Sequence, residues 1–452
     1  MSLRGEGMSV LNGLDGLDEV CEKALAEHGC PSVSVAVAQG DELVFARAYG
    51  RADPGTDRAA GPETVYGLAS VTKSFTALAV CLAADRGLLD LDAPLSGAHR
   101  WAPTARQLMR HRGGFPAYYD FHYGDRPGPI DPGAYRRQVR EPGGGFEYSN
   151  HGYHVLGGLL EEATGRPLRT FLREQLAEPL GLASFEFGDA YPGSGPVAVR
   201  CTADGRAYPD CWTSHPAAGA GWATAGDVAL FARRSAGLLR PETAAAVLDG
   251  LPITDRLGYG FGRIVQREGG AVISSHGGGM GGVAAMMIDL PDRGLSLAVL
   301  TNSTNKAARD AVVRHLMAAQ APEFDPGHLQ PVSDPARELT LSPGSWAGVI
   351  DAPEGGIPVQ VDLLDDRRVR LRLADHPPVT VPAAASRQWD VQFVADVQLP
   401  TADARLNSPS VGLALRADGD GLTGRAVAFK NGDHDGLLGP FLVHPCRLRP
   451  AG

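Results

Sequence analysis

Three short stretches of this 452-residue chain carry side chains whose types and spacing suit nucleophilic chemistry. The first, "GLASVTKSFTALAVCLAADRG" at 67–87, sets Ser70 three residues before Lys73, a spacing that puts both on one face of a helix. Only four lysines, Lys23, Lys73, Lys306 and Lys430, stand among the 42 basic residues, so arginine is used nearly everywhere else. An arginine keeps its proton near neutral pH, whereas a desolvated amine can lose it. Positions 77, 80, 81 and 84 continue the Ser70–Lys73 face as Ala, Val, Cys and Ala, an apolar setting that lowers the pKa of an amine. A neutral Lys73 is then a base for Ser70, and the N–H of Ser70 at the helix start supplies half of an oxyanion hole. The same pair also fits a plainer role, with Ser70 as helix cap and Lys73 reaching to solvent.

The second stretch, "GGGFEYSNHGYHVLGGLLEEATGRPL", holds Tyr148-Ser149-Asn150 just before a helical pattern. In an extended loop, residues two apart point the same way, so a phenol and a carboxamide face one cleft. The third, "VISSHGGGMGGVAAMMIDL", puts His276 at the edge of a strand, followed by Gly277, Gly278 and Gly279. Such glycines let a substrate backbone lie along the strand, and the Gly279 N–H is the second oxyanion donor expected. Taken singly, both stretches also fit ordinary turns. His151 and His154 have metal-ligand spacing but no acidic or cysteine partner nearby, so they read as wall residues. No metal and no cofactor is expected.

Elements able to position these groups are visible in the hydrophobic patterning. Residues 15–29 read as a helix and "PSVSVAVAQGDELVFARAYG" as a hairpin around Gly-Asp. The nucleophile stretch reads as a helix over 70–86 closed by Gly87. A loop-rich region over 95–150 is placed to wall a site. Helices follow near 151–164, 167–177 and 226–239, then antiparallel strands at "GYGFGRIVQ", "AVISSHG", "GVAAMMIDL" and "LSLAVLTN", and a helix near 304–319. Prolines crowd 321–343, an extended linker that divides a first domain, 1–320, from a second, 344–452. That tail alternates in short segments such as "VQVDLL", "VRLRLA" and "SVGLALRA", the pattern of a small antiparallel sandwich or barrel.

Bulk properties narrow the partners. A net charge of −10 offers no footprint for nucleic acid and is repelled by an anionic membrane. The first residues lack an apolar signal core, and no stretch of about 18 apolar residues exists, so a cytoplasmic protein without a membrane span is expected. Six scattered cysteines without a C-x-x-C pair fit reduced thiols, leaving a Cys201–Cys211 bridge open.

In order along the chain, Ser70-x-x-Lys73, Tyr148-x-Asn150 and His276-Gly277-Gly278 resemble the three motifs of the penicillin-recognising serine enzymes, on the branch of class C β-lactamases, DD-peptidases, D-amino-acid peptidases and family VIII esterases. "LMRHRGGFPAYYDF" is similar to that branch's "LLTHTSGLPDYYDF" segment, and the likeness covers about 17–319. The resemblance implies an α/β (α+β) fold of β-lactamase/transpeptidase type, an antiparallel sheet flanked by helices with an all-helical subregion, here followed by a small lipocalin-like β-domain. It also implies acyl transfer through Ser70, with Lys73 and Tyr148 moving the proton, Asn150 holding a substrate amide, and His276 polarising Tyr148 or the leaving group. The third motif departs from the usual Lys-Thr-Gly of β-lactamases, which removes a fixed cation and speaks against efficient penicillin hydrolysis.

The architecture is also similar to that of the stand-alone penicillin-binding-protein-type thioesterases of nonribosomal peptide pathways, which release a peptide from a carrier protein by macrocyclisation. The expected substrate is therefore a small-molecule or peptidyl (thio)ester or amide, presented on a peptidyl carrier protein in the thioesterase case; the alternatives are a cytosolic hydrolase, whether esterase, D-amino-acid peptidase or amidase, or DD-peptidase-like, and, after these, a non-catalytic binding protein. Trp222 in "AAGAGWATAGDVALF" is placed to wall the acyl pocket, and Arg447 in "GPFLVHPCRLRP" to grip a carboxylate or carbonyl. Core packing for Trp222 and solvated surface charge for Arg447 explain the same residues equally well.

Overall fold

A computed structural model describes residues 13–96, 100–124, 135–268, 271–329, 336–434 and 436–452. Backbone contacts divide the chain into two units, Met1–Gly114 with Glu141–Pro331, and Phe115–Arg140 with Val332–Gly452.

The first unit opens with α1 (Leu17–His28), followed by the hairpin β1 (Ser32–Gln39) and β2 (Glu42–Asp53), β3 (Arg58–Ala59) and β4 (Tyr66–Gly67). A 3-10 turn, Ala69–Val71, leads into α2 (Thr72–Asp85), so Ser70 sits on the turn and Lys73 on the helix proper. Every α2 residue from Thr72 to Ala83 is buried, polar Thr72, Lys73, Ser74 and Thr76 included, as a helix apolar on most of its faces allows. Gly87, at φ 73°, closes the end. After α3 (Asn150–Thr164) come β5 (Gly221–Ala223), α4 (Ala225–Arg234) and α5 (Pro241–Val247), the last unmarked by any strong apolar stripe. The chain then runs through β6 (Leu251–Pro252), β7 (Leu257–Tyr259), β8 (Ile264–Glu268), β9 (Ala271–Met280), β10 (Val283–Leu290), β11 (Leu295–Thr301) and α6 (Ala307–Ala318).

Nine strands form one antiparallel sheet in the order β3-β2-β1-β11-β10-β9-β8-β7-β6. All residues of β10 and β11 are buried, the mark of a sheet covered on both faces. Ala298 and Leu300 join a core with α2 and α4, while α1 and α6 pack together against β1, β10 and β11.

In the second unit, β12 (Gly344–Ala352), β13 (Gly355–Leu363), β14 (Arg368–Leu373), β15 (Val379–Pro382), β16 (Val391–Ala395), β17 (Ser410–Asp418), β18 (Gly421–Phe429) and β19 (Val443–Pro450) make an eight-stranded antiparallel sheet, ordered β15-β14-β13-β12-β19-β18-β17-β16. An Ala384–Gln392 bridge joins its two ends and nearly closes it into a barrel. Alternate residues such as Val359, Val361 and Leu363 fill the interior. The segment "FPAYYDF" belongs to this unit: Tyr119 pairs with Phe441 through the backbone, and Tyr118 and Tyr135 pack on Leu442. The linker's residues 330–335 and part of the loop region, 125–134, lie outside the described residues.

All six cysteines are free and buried, so no Cys201–Cys211 bridge forms. Among the described residues, no helix is long and apolar enough to cross a membrane.

Candidate active site

Ser70 is held by its approach. Gly67 pairs with Trp222 across β4 and β5, the Leu68 N–H donates to the Gly221 carbonyl at 2.8 Å, and Ala69 turns the chain at φ 45°, a left-handed conformation that costs energy without a glycine. One turn later the Lys73 Nζ lies 2.9 Å from Ser70 Oγ and donates to the Ala218 carbonyl at 3.0 Å. Lys73 is 0% exposed, and burial holds its pKa well below the ordinary lysine range. The rings of Tyr148 and Tyr153 lie 4.8 and 5.6 Å from the nitrogen. Gly262, at φ 67°, packs so closely on this turn that a Cβ there would sit 2.7 Å from the Lys73 carbonyl oxygen.

Tyr148 is clamped from both sides by one residue. The N–H groups of Glu147 and Ser149 donate to the His111 carbonyl at 2.9 Å and to His111 Nδ1 at 3.1 Å, and the His111 ring packs 4.2 Å from that of Tyr148. Because Nδ1 accepts, the proton of a neutral His111 is on Nε2, which donates to Tyr259 Oη at 3.1 Å. The Tyr259 hydroxyl then donates to His276 Nε2 at 2.8 Å, and His276 Nδ1–H donates to the Gly277 carbonyl at 2.8 Å. A single set of tautomers thus satisfies the whole chain. Burial, with the nearby Lys73 second, keeps both imidazoles neutral: His111 is held well below the usual histidine range and His276 down to about 3.

The glycine motif borders the nucleophile. Strand β9 pairs with β8 only as far as Ser275, while its pairing with β10 runs on to Met280, so among the described residues no strand pairs with 276–280 on the β8 side. Gly278 has no room for a side chain, since a Cβ would stand 2.2 Å from the Leu68 carbonyl. The close approach that the sequence suggests for a substrate is thus made at Gly278 by the protein's own turn before Ser70. A Cβ on Gly279 would meet Lys306 Cε at 2.9 Å and Nζ at 3.3 Å. Burial brings Lys306 down to about 8. The Lys306 amine, at the start of α6, thus stands beside the third motif.

The structure brings together Ser70, Lys73, Tyr148, His276 and the run Gly277–Gly279. Asn150 is buried on the first turn of α3, two residues after Tyr148. Trp222 lines a small cleft with Gly67, Arg200 and Met280; its ring is 6% exposed and its N–H donates to the Gly188 carbonyl at 2.8 Å. Arg447 stands exposed on β19 of the second unit, opposite Val349 and Thr423. The rings of His151 and His154 lie 5.7 Å apart, tilted by 31°.

His111, Tyr259 and Lys306 were assigned no role from the sequence. His111 lies in the quoted "LMRHRGGFPAYYDF" segment, and Tyr259 in a stretch that reads as an ordinary strand. Lysine scarcity, the signal that singles out Lys73, points equally to Lys306 and Lys430; burial lowers Lys430 to about 7 among the rings of Tyr119, Phe121 and Phe441.

A buried amine with a lowered pKa on a serine hydroxyl and a tyrosine ring centred 4.8 Å from its nitrogen are the parts that acyl transfer through a serine requires. The sequence profile of the beta-lactamase family matches residues 17–321. Esterase EstB of Burkholderia gladioli is 33% identical over 207 residues, a match covering 39% of this chain and 52% of the esterase. The chain thus spans about half the length of that relative. A D-aminopeptidase of Brucella canis is 26% identical over 389 residues, 77% of this chain and 69% of the peptidase. Among solved structures, SurE with D-Leu has a TM-score of 0.65 at 24% identity, covering 93% of this chain and 97% of that one. D-amino acid amidase from Ochrobactrum anthropi with L-phenylalanine amide has a TM-score of 0.54 at 24% identity, covering 67% and 98%.

Proposed function

From the premise that this chain belongs to the beta-lactamase family, we propose that it is a serine hydrolase that transfers an acyl group from an ester or amide through Ser70. The observation that carries the reading is the fully buried Lys73 amine 2.9 Å from Ser70 Oγ. In its neutral form, Nζ accepts the Ser70 proton while its own N–H stays on the Ala218 carbonyl. Ser70 Oγ attacks the substrate carbonyl, and the N–H groups of Ser70 and Gly279 receive the oxyanion. Tyr148 gives its hydroxyl proton to the leaving group, which departs as alcohol, thiol or amine, and takes in return the proton that Lys73 holds. Water or an amine then attacks the acyl-enzyme by the same route in reverse. Asn150 holds a substrate amide. Both nitrogens of His276 are engaged, by Tyr259 and by a carbonyl, so its part is to fix the Tyr259–His111 chain that sets Tyr148, rather than to touch the leaving group.

The esterase and D-aminopeptidase relatives favour an acyl group of ester or D-aminoacyl type. A second reading, a thioesterase that off-loads and macrocyclises a carrier-bound nonribosomal peptide, with Trp222 walling the acyl pocket, is supported by the joining of the catalytic unit to an eight-stranded β unit. Incubation with a peptidyl thioester ending in a D-residue, and with the matching p-nitrophenyl ester, tests both by product mass. Linear acid supports the hydrolase and cyclic peptide the thioesterase. Failure of either substrate to leave an acyl mass on Ser70 overturns the serine mechanism.

A further inference from the structure

A second stripe of α2, carrying Ser74 and Leu78, faces a cavity of about 130 Å³ that takes no part in the chemistry above. Its far walls come from α4 and the turn after it, from α5, and from the loop between β7 and β8. Most of the lining is aliphatic, including Leu78, Leu239 and Val247, but two guanidiniums and one carboxylate also open onto it: Arg233, Arg263 and Asp289.

The charges do not balance. Asp289 accepts from Arg233 Nη1 at 2.7 Å. Arg263, only 4% exposed, has one hydrogen bond, from Nη2 to Ser235 Oγ at 2.8 Å, and forms no ion pair among the described residues. The ring of Phe231 lies 5.5 Å from its guanidinium carbon. Asp292, the next acid along the chain, is exposed and accepts the Val272 N–H. Asp289 also faces Arg263, so one carboxylate serves two buried guanidiniums; leaving a positive charge in excess there is costly, and arginine cannot escape the cost by losing its proton. Of the five donors of Arg263 one is used, and the side chain borders the cavity. Arg233 Nε is likewise buried without a partner.

We propose that this cavity binds a small amphipathic carboxylate, its carboxylate on Arg263 and its apolar body among Leu78, Leu239 and Val247. One carboxylate answers the one unbalanced charge. The volume suits a body of about the size of benzene, which fills an engineered apolar cavity of roughly 150 Å³. Phosphate and sulfate would leave the aliphatic walls empty, and a neutral hydrocarbon would leave Arg263 unanswered. The occupant would also abut Ser74, whose hydroxyl donates to the Gly262 carbonyl at 2.7 Å, and Gly262 is the residue packed on the Lys73 carbonyl.

Benzoate is the probe and benzamide its neutral counterpart, each titrated into the full chain while the methyl NMR signals of Leu78, Leu239 and Val247 are followed. The expected result is saturable shifts of these methyls at millimolar benzoate or below, with benzamide at least tenfold weaker. Arg263→Met, its fold checked by the remaining methyl signals, should erase the preference for benzoate, and Ala244→Phe, which fills the cavity, should remove binding of both. Silent cavity methyls, equal affinity for the two probes, or an unchanged preference in Arg263→Met would overturn the proposal. Should Arg263→Met fail to fold, the affinity ratio on the natural chain and the Ala244→Phe result decide.

Discussion

Two stripes of one helix present two solutions to the same problem. Lys73 on α2 and Arg263 across the cavity from that helix are both buried basic groups; among the described residues neither forms an ion pair, and Arg263 shares Asp289 with Arg233. An amine can relieve its desolvation by giving up a proton, and burial drives Lys73 in that direction. A guanidinium cannot, and keeps its charge. Residue type therefore separates the proposed base from the proposed anion site: the group that can titrate stands 2.9 Å from the Ser70 hydroxyl, and the one that cannot lines a cavity.

The sharpest way to break that contrast is to remove titration where it is needed. Ser70→Ala should abolish p-nitrophenyl ester turnover, and Lys73→Arg, which keeps the charge but cannot take the proton, should lower kcat/KM on the order of 10³-fold. An active Lys73→Arg enzyme would leave the base assignment without support. Tyr148→Phe should cost on the order of 10²-fold in kcat by removing the proton carrier alone. His111→Ala should cost about tenfold or more in kcat with little change in KM, because it loosens Tyr148 without touching substrate, and His111→Asn, which keeps an acceptor for Ser149, should recover part of the loss. A large rise in KM for His111→Ala would argue for direct substrate contact.

Smaller effects should appear in stability. The folded-state pKa of Lys73 is lowered, so between that value and the ordinary lysine value the unfolded chain binds more protons. Its contribution should worsen as pH falls through this window, and the Tm advantage of Lys73→Met over the natural chain should grow in the same direction. Arg263 does not titrate, so any Tm gain of Arg263→Met should stay level with pH. Thermal melts from neutral to alkaline pH compare the two; parallel curves would mean that the lysine keeps its proton too. In activity, kcat/KM should rise with pH through the lowered Lys73 value and show no limb near neutrality from His276, which burial holds neutral down to about 3.

What could be read in advance follows from distance along the chain. Ser70 and Lys73 were legible because three residues on a helix fix a shared face, and because an arginine-rich chain makes each lysine a choice. Tyr148 and His276 were legible by type and order, but their connection was not: His111, Ser149, Tyr259 and His276 meet only when a loop, a helix start and two strands converge. Gly278 was expected to make room for substrate, yet its bare Cα faces the Leu68 carbonyl, a contact across about two hundred residues. The segment around Tyr119 reads as a wall of the nucleophile's domain by sequence position, while its backbone pairing ties it to Phe441.

Local chemistry, then, was written in the order of residues: a hydroxyl and an amine one turn apart, an apolar helix to bury them, strands that alternate, and a chain with almost no lysine to spare. Which of those groups keeps its charge was decided by folding. Protonation depends on how much water is excluded and on which opposite charge lies within a few ångströms, and both are set by elements far apart in sequence. Only the packed molecule leaves Lys73 with a hydroxyl and a carbonyl for company, and only there does Arg263 end beside a carboxylate already taken by another arginine.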